Sequence, residues 1–425
     1  MTEDVLQYIW QTQSFNKAHL LTVTGEPVSI FRQGDLNNDS GPDFSSARLA
    51  INEVEWIGDV EIHIKTSSWH SHKHHLDPAY NKVILHVVWE HDTPAIRNDG
   101  SEIPTLELKH LIGRNWLRKY ESLSASLFAI PCEPFFAEVQ DIYKLGALNK
   151  VLIERLKRKS SLLLKELNRL NGDWEQATVG LLFENFGFKK NNEAFKQLAS
   201  ITDYKIFRKL STLKQMEAYL LGMAGFLAKE KHSSSYHQEL KDEFLWLTKK
   251  YNFSSKPMSA TWWKFMRLRP ANFPTQRLAQ LASLLFHRKH LFQTIIDVMV
   301  KEAPYFFKVE TSEFWQTHYH FNKTTHSALR GIGEQSARLL SINVAAVLLI
   351  AYGQYTNNER YTKKALNFLE TIRPEENVIT RRWSDLGIKL ASAADSQGAI
   401  ELFNNYCKNK KCLRCNIGNQ ILQGT

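Results

Sequence analysis

The stretch Val60-Glu61-Ile62-His63-Ile64-Lys65 alternates apolar and polar residues, and this period of two predicts a β-strand. In a strand Glu61, His63 and Lys65 share one face, opposite the three apolar residues. We therefore expect one face to pack on a core and the other to carry an acid, an imidazole and an ammonium in a row. At ~3.3 Å per residue, His63 lies about 7 Å from Glu61 along the strand and Lys65 about 13 Å. His63 is therefore expected to act directly with Glu61.

Short apolar or alternating runs around this stretch predict further strands. These runs cover residues 47–51, 56–65, 82–89 and 103–108, with turn residues between them. Residues 3–15 precede them with apolar groups at helical spacing. The pattern predicts an α+β N-terminal domain with a small mixed or antiparallel sheet and flanking helices.

After about residue 140 the apolar spacing is helical to the end of the chain. Candidate helices cover about 141–170, 174–187, 212–230, 236–250, 275–288, 334–352, 360–371 and 394–406. A length of 425 residues also favours two or three domains. We divide the chain into a sheet domain, residues 1–125, and a larger all-helical domain, residues 126–425.

The composition favours a cytoplasmic protein without a membrane segment. The acidic start Met1-Thr2-Glu3-Asp4 is unlike a secretory signal. The longest apolar run, residues 344–351, has about half of the ~20 residues that a membrane span needs, so we interpret it as a buried helix.

The charges of the chain are unevenly distributed. Residues 1–125 hold 11 Lys+Arg and 17 Asp+Glu, whereas the remaining residues hold 43 and 27. An acidic metal-binding part followed by a basic part is typical of proteins that act on polyanions, so nucleic acid is the expected partner. The alternative is a basic helical domain that binds nothing.

A second motif, Gly41-Pro42-Asp43, lies eighteen residues before Glu61. Carboxylates are the ligands that Mg²⁺ and Mn²⁺ prefer, and phosphodiester hydrolysis also needs a polar group that orients water or steadies the phosphate charge. Asp43 and Glu61 are therefore the predicted cation ligands. His63, or less directly Lys65, is the predicted polar helper. The alternative is a half-exposed strand with ordinary solvated side chains.

The two segments together resemble the PD-(D/E)XK nuclease superfamily, whose members have a mixed four-stranded sheet flanked by helices. The resemblance implies that Asp43 is the metal-binding aspartate, that Glu61 is the second acid, and that Glu3 is an additional acid on the first helix. His63 takes the position that is usually held by lysine. Trp69-His70-Ser71-His72 is similar to a run in very-short-patch repair endonucleases of the same superfamily.

The whole chain resembles an uncharacterised bacterial family of unknown function. The segments that carry this resemblance are residues 41–44, 60–63, 84–88 and 407–415.

Nine of the sixteen histidines lie in residues 1–125, and six of them lie between His63 and His86. His70 and His72 are candidate metal or phosphate contacts, because imidazoles bind Zn²⁺ and Mn²⁺ and also exchange protons near neutral pH. We interpret His74 and His75 as part of a polar loop. His86, inside an apolar run, either is a satisfied core residue or points into the site, and Tyr80 is a possible pocket residue.

Four cysteines, Cys132, Cys407, Cys412 and Cys415, are the only ones in the chain. So few cysteines do not suggest a disulfide framework, whereas four thiolates complete a Zn²⁺ or [4Fe–4S] site. The arrangement of one remote and three clustered cysteines is similar to that in iron–sulfur nucleases, although the spacing and order differ. The alternative is an unrelated buried thiol and a cysteine-containing loop.

Basic residues in the helical part are candidate nucleic-acid contacts. Lys157-Arg158-Lys159 is the densest cluster, and Arg269 and Arg277 lie near a predicted helix start that could hold an anion. Gly331-Ile332-Gly333 before a helix is a weaker phosphate-binding motif.

We therefore predict a Mg²⁺- or Mn²⁺-dependent nuclease that acts on DNA or RNA. Two alternatives stay open, a catalytically inactive nuclease fold that binds nucleic acid and a metal-dependent hydrolase of small phosphoesters.

Overall fold

A computed structural model describes residues 1–37, 39–228, 234–297, 306–326 and 328–424. Its chain divides into two compact units, one made of Met1–Ala147 with Phe403–Thr425 and the other of Leu148–Leu402. The predicted boundary at residues 125 and 126 falls where helix Arg114–Ala125 ends, and residues 403–425 are grouped with the sheet-containing unit.

The first unit contains a six-stranded mixed sheet. Its strands are β1 Val28–Arg32, β2 Asp35–Leu36, β3 Phe44–Ile51, β4 Val54–Lys65, β5 Val83–Glu90 and β6 Thr105–Glu107. The order across the sheet is β1-β3-β4-β5-β6, with β2 paired to β3. The pairs β1–β3, β2–β3 and β3–β4 are antiparallel, whereas β4–β5 and β5–β6 are parallel.

A tight turn joins β3 to β4. Ile51 pairs with Val54, so Asn52 and Glu53 form a two-residue loop, and both have positive φ, 49° and 65°. Two-residue hairpin loops with positive φ at both positions match the right-handed twist of the strands. This turn sets the register from Ile51–Val54 to Ala47–Gly58, and a bulge between Ala47 and Phe44 shifts it by one residue, so that Phe44 pairs with Val60.

Helices and short helical turns complete the first unit. They are α1 Glu3–Thr12, α2 Ser68–Ser71, α3 Arg114–Ala125 and the C-terminal helix Asn416–Gln423, with 3₁₀ turns at His74–Leu76, Pro78–Lys82, Glu133–Glu138 and Cys412–Arg414. Helix α1 buries Val5, Leu6, Ile9 and Trp10. Acidic residues in its first turn stabilise the helix, because their negative charge interacts favourably with the positive end of the helix dipole.

The second unit is mainly helical around a large apolar core that includes Phe183, Tyr219, Phe307 and Trp315. Its helices are Trp174–Phe186, Phe188–Ile201, Tyr204–Phe207, Leu213–Met223, Ser235–Tyr251, Pro274–His287, Leu291–Asp297, Glu313–Thr317, Glu334–Leu340, Ala346–Tyr355, Glu359–Thr371, Val378–Asp385 and Ala393–Leu402. Helix Asp141–Arg169 precedes them. A short hairpin of His318–His320 and Lys323–Thr324 adds a two-stranded sheet.

The most apolar helical segment among the described residues is Glu334–Tyr355, which includes one π-helical turn at Ser341–Ala345. Its length and composition would suffice for a membrane span, but 72% of its most apolar window is buried inside the structure. Residues 344–351 are buried throughout, as the sequence predicted. This segment therefore forms part of a protein core.

The predicted α+β class is confirmed, with a mixed sheet first and a large helical region after it. The predicted segments at 47–51, 56–65 and 82–89 correspond to β3, β4 and β5. Of the candidate helix 212–230, residues 229 and 230 lie outside the described residues, and the helix ends at Met223.

Candidate metal centre

The carboxylate of Glu61 is held by the backbone that precedes β3. The main-chain N–H of Asp43 donates to Oε2 of Glu61 at 3.1 Å. Gly41, with φ 104°, turns the chain just before this point, in a region that favours glycine. Because Phe44 pairs with Val60, Asp43 and Glu61 are neighbours across two adjacent strands. The structure thus brings together the two acids that the sequence singled out.

The side chain of Asp43 is anchored on both oxygens. Gln7 Nε2 donates to Oδ1 at 2.8 Å, and the N–H of Ile62 donates to Oδ2 at 3.0 Å. Burial, followed by the negative charge of Glu61 and then that of Glu3, raises the pKa of Asp43 to about 7 despite these two bonds. The predicted third acid, Glu3 on α1, is therefore close enough to act on Asp43 electrostatically.

The second oxygen of Glu61 faces two imidazoles. Oε1 lies 3.4 Å from Nε2 of His63 and 3.3 Å from Nε2 of His74. Nε2 of His63 also lies 3.2 Å from Nδ1 of His72. Ligand atoms of His63, His72 and His74 all lie within 4.8 Å of one another, and no other such group of three occurs in the part of the chain that the structure describes.

The segment between β4 and β5 brings two of these imidazoles to the strand. Helix α2 ends at Ser71, and Lys73, with φ 62°, reverses the chain before the 3₁₀ turn His74–Leu76. His72 and His74 therefore approach His63 from consecutive turns. The ring of Tyr80 stacks on His74 with centroids 3.8 Å apart, and buried Trp69 packs edge-on against His74.

His86 supports His63 from the neighbouring strand. Parallel pairing sets Glu61 of β4 opposite His86 of β5, and Nε2 of His86 lies 2.9 Å from Nδ1 of His63. Both rings are buried, and this burial, together with the surrounding imidazoles, lowers the pKa of His63 to about 2 and that of His86 to about 3. Both imidazoles are therefore neutral at physiological pH, which is the form that binds metal ions.

The donor set fits a transition-metal cation. Donors around tetrahedral Zn²⁺ at ~2.05 Å lie about 3.3 Å apart. Three of the six separations between the donor atoms of Glu61, His63, His72 and His74 are 3.2, 3.3 and 3.4 Å, and the three imidazole donors all lie within 4.8 Å of one another. Moreover, His63 reaches His86 with the ring nitrogen that faces away from the group, as metal-bound histidines typically do with a supporting partner. His72 is exposed, so solvent reaches the group from its side.

Two other predicted site residues lie apart from this group. Lys65 lies at the exposed end of β4. Its positive charge adds to the hydrogen bonds from Ser67 that lower the pKa of Asp92. His70 accepts a hydrogen bond from the N–H of Ile96 at 3.4 Å, and its ring packs against that of His75. The segment that carries His70, His72 and His74 is helical and turned, so the alternation of these histidines along the chain does not place them on one face.

The four cysteines lie among the described residues of the first unit, and none of them is in a disulfide bond there. Cys132 and Cys407 are buried, whereas Cys412 and Cys415 are half-buried at the two ends of the 3₁₀ turn Cys412–Arg414. Burial, and then the charge of the other thiols, raises the pKa of Cys132, Cys407 and Cys412. No three of their sulfurs lie within 4.8 Å of one another. The predicted zinc or iron–sulfur site therefore stays a prediction.

The predicted nucleic-acid contacts in the helical unit differ in environment. Lys157 is exposed, whereas Arg158 pairs with Glu401 at 2.7 Å. Lys159 donates to Oδ1 of Asn343 at 2.7 Å, and burial lowers its pKa to about 7. Arg269 is exposed and Arg277 is buried. Lys159 and Arg277 are therefore engaged inside the unit, whereas Lys157, Arg158 and Arg269 are exposed to solvent.

Sequence reasoning assigned His74 to a loop and left the orientation of His86 open. The close spacing of His72 and His74, with one lysine between them, is the sequence signal that could have placed His74 in the group. The left-handed conformation of Lys73, which brings the two rings together, cannot be predicted from that spacing. A lone histidine in an otherwise apolar strand was the sequence signal that made His86 a candidate.

No curated protein and no solved structure matches the chain. A family model described as "Protein of unknown function (DUF2851)" matches residues 3–378, and the chain therefore belongs to this family.

Proposed function

We propose that the first unit is a divalent-metal-dependent hydrolase that cleaves phosphodiester bonds in nucleic acid. One observation carries the proposal. The carboxylate of Glu61 is bonded on one oxygen by the N–H of Asp43 and faces His63 and His74 with the other. Fixed carboxylate and imidazole donors with an open side are the arrangement that metal-assisted hydrolysis needs.

The donor set favours Mn²⁺ or Zn²⁺ over Mg²⁺. Imidazole suits zinc and other transition metals, whereas Mg²⁺ is usually bound through carboxylates, phosphates and water. A cation at His63, His72, His74 and Glu61 would polarise a phosphoryl oxygen and lower the pKa of bound water. His86 would hold the ring of His63 in place, and Asp43 would hold Glu61.

The preference for nucleic acid over other phosphodiesters rests on the order of the acidic residues. Asp43 precedes one strand and Glu61 lies on the next, with Glu3 on the first helix, as the PD-(D/E)XK resemblance implies. His63 occupies the position of the usual lysine, and its contacts with Glu61 and His72 support a role as a ligand of the cation. The excess of Lys and Arg after residue 125 supports a polyanionic substrate.

The test is cleavage of single- and double-stranded DNA and RNA with Mg²⁺, Mn²⁺ or Zn²⁺, for the wild type, Glu61→Gln and His72→Ala. His72 is exposed, so its replacement should leave the fold intact. His70→Ala is the matched control, since it removes an imidazole from the same segment outside the group. We expect Mn²⁺-dependent cleavage by the wild type and the control only.

Equal cleavage by all four proteins would overturn the assignment of the site. Salt-dependent binding without cleavage would instead favour the inactive binding module. Hydrolysis of a small chromogenic phosphodiester without cleavage of polynucleotides would favour the small-substrate hydrolase, because the histidine group would then act without the basic residues.

A further inference from the structure

Arg277 lies in the interior of the second unit, on helix Pro274–His287, with 6% of its surface exposed. Its guanidinium donates to Gln280 Oε1 at 2.8 Å, to Ser336 Oγ at 3.0 Å and to Asn272 Oδ1. All three acceptors are neutral, and Nε has no hydrogen-bond partner among the residues that the structure describes. Among the described residues no carboxylate acts on Arg277, whose pKa is lowered to about 10 by burial alone.

A buried guanidinium without a counter-charge is unusual. Buried charges in proteins are normally paired, because the loss of hydration is otherwise uncompensated. Arg155 in the same unit differs, since that arginine, with 14% of its side chain exposed, contacts Glu401 at 3.4 Å. The described residues therefore supply no anion that would offset the charge of Arg277.

A cavity of about 270 Å³ adjoins this guanidinium. Three cationic side chains line it, Arg277 with the exposed Lys189 and Lys190, and no acidic residue is among the described residues of its wall. Ser336 and Asn272 add a hydroxyl and an amide. Phe188 packs on the guanidinium plane at 4.2 Å, which orients the fork that arginine uses for phosphate.

The rest of the wall is mainly apolar, with Phe186, Phe195 and Leu339 among its residues, and also includes Asn191 and Gln335. A wall that combines positive charge with apolar surface suits an anion that is attached to an organic body. A phosphate dianion matches two or three cations and the fork geometry better than a carboxylate does. The cavity volume of about 270 Å³ equals that of about nine water molecules at roughly 30 Å³ each, which is more than a bare phosphate would fill.

We propose that this cavity is a binding site for a phosphate monoester, with Arg277 and Ser336 contacting the phosphate group. The proposal is independent of the hydrolase assignment, since every residue that carries it belongs to the second unit.

Calorimetric titration of the full-length protein tests the site. The ligands are a nucleoside monophosphate, the same nucleoside without phosphate, inorganic phosphate, and an oligonucleotide with either a 5′-phosphate or a 5′-hydroxyl. We expect the monophosphate to bind more tightly than inorganic phosphate and the nucleoside not to bind. If only the 5′-phosphorylated oligonucleotide binds, the monoester is the end of a nucleic-acid strand. If the nucleoside monophosphate binds, the monoester is a small molecule.

Variants locate the binding in the cavity. Arg277→Lys keeps the charge but loses the fork, and Ser336→Ala removes one half-buried hydroxyl. Each should weaken binding about tenfold, as loss of a hydrogen bond to a charged group does. Arg381→Ala, a larger change of charge on an exposed arginine of the same unit outside the cavity wall, should leave affinity unchanged.

Melting temperatures and circular dichroism verify that the variants are folded, and Ser336→Ala decides the test if Arg277→Lys does not fold. Absence of binding by every ligand, or equal binding by the wild type and Ser336→Ala, would overturn the proposal and leave Arg277 as a purely structural residue.

Discussion

The main-chain N–H of Asp43 donates to Oε2 of Glu61 at 3.1 Å, so residue 43 orients the carboxylate of residue 61 through its backbone. The side chain of Asp43 instead accepts bonds from Gln7 and from the N–H of Ile62. The two acids are thus neighbours with different environments. Only Glu61 presents an oxygen to the imidazoles.

This difference predicts unequal effects of replacing the two acids. Glu61→Gln should weaken Zn²⁺ binding at least tenfold, because it removes a charged donor from the group. Asp43→Asn should weaken it less, since the backbone donor to Glu61 remains. Competition with a chromogenic chelator measures both affinities. Equal losses would instead identify Asp43 as a direct ligand, which is what the sequence alone predicted.

His86 is expected to act on the cation through His63. His86→Phe removes the partner of Nδ1 of His63 and should weaken Zn²⁺ binding about 10- to 100-fold, as loss of supporting partners of metal ligands does. His86→Gln keeps an acceptor near the same place and should retain most of the affinity. NMR of the imidazole nitrogens would report whether His63 keeps one tautomer. Unchanged affinity and tautomer in His86→Phe would contradict this role.

The strand of the candidate site was predictable from the sequence, whereas the closure of the site was not. Alternation in residues 60–65 correctly indicated a strand in which Glu61 and His63 share a face, and both are buried. The same alternation extended that face to Lys65, but the strand reaches solvent there. His72 and His74 join through a left-handed residue at position 73, which no period in the sequence encodes. The parallel register that sets His86 beside Glu61 likewise depends on tertiary structure.

Glu217 predicts a dependence of stability on pH that does not involve the candidate site. It is fully buried in the second unit and accepts bonds from Tyr236, Ser312 and Trp315. Burial outweighs these bonds and raises its pKa to about 7. The folded state therefore keeps a proton that the unfolded chain loses above about pH 4.5. This contribution to the free energy of unfolding is fully present below pH 4.5 and falls as the pH rises to 7, by on the order of 3 kcal/mol.

Urea unfolding of the wild type and Glu217→Gln between pH 4 and 8 measures this effect. The variant loses an acceptor at every pH, which adds a constant difference. We expect the wild type to lose stability relative to the variant as the pH rises from 4.5 to 7. Parallel profiles would show that folding does not raise the pKa of Glu217.

The cysteines predict a measurable metal content. If the four thiols bind Zn²⁺ or an iron–sulfur cluster, protein purified without oxygen should contain zinc, or iron with acid-labile sulfide, and Cys415→Ser should lower that content as much as Cys132→Ser does. Such a site requires movement of the thiols, because no three sulfurs lie within 4.8 Å of one another. Titration of four free thiols in metal-free protein as isolated would end the prediction.

Two glutamates of the second unit that pair with arginines provide a matched test of burial. Glu401, with 5% of its side chain exposed, contacts Arg155 at 3.4 Å and Arg158 at 2.7 Å, whereas Glu166 and Arg169 pair at 2.5 Å on the surface. Glu401→Gln should lower the free energy of unfolding by about 3 kcal/mol, because Arg155, with only 14% of its side chain exposed, is left without this counter-charge. Glu166→Gln, the same chemical change, should alter it by at most about 1 kcal/mol. Urea unfolding at pH 7 measures both. A similar small effect for the two variants would mean that solvent screens Arg155 in solution.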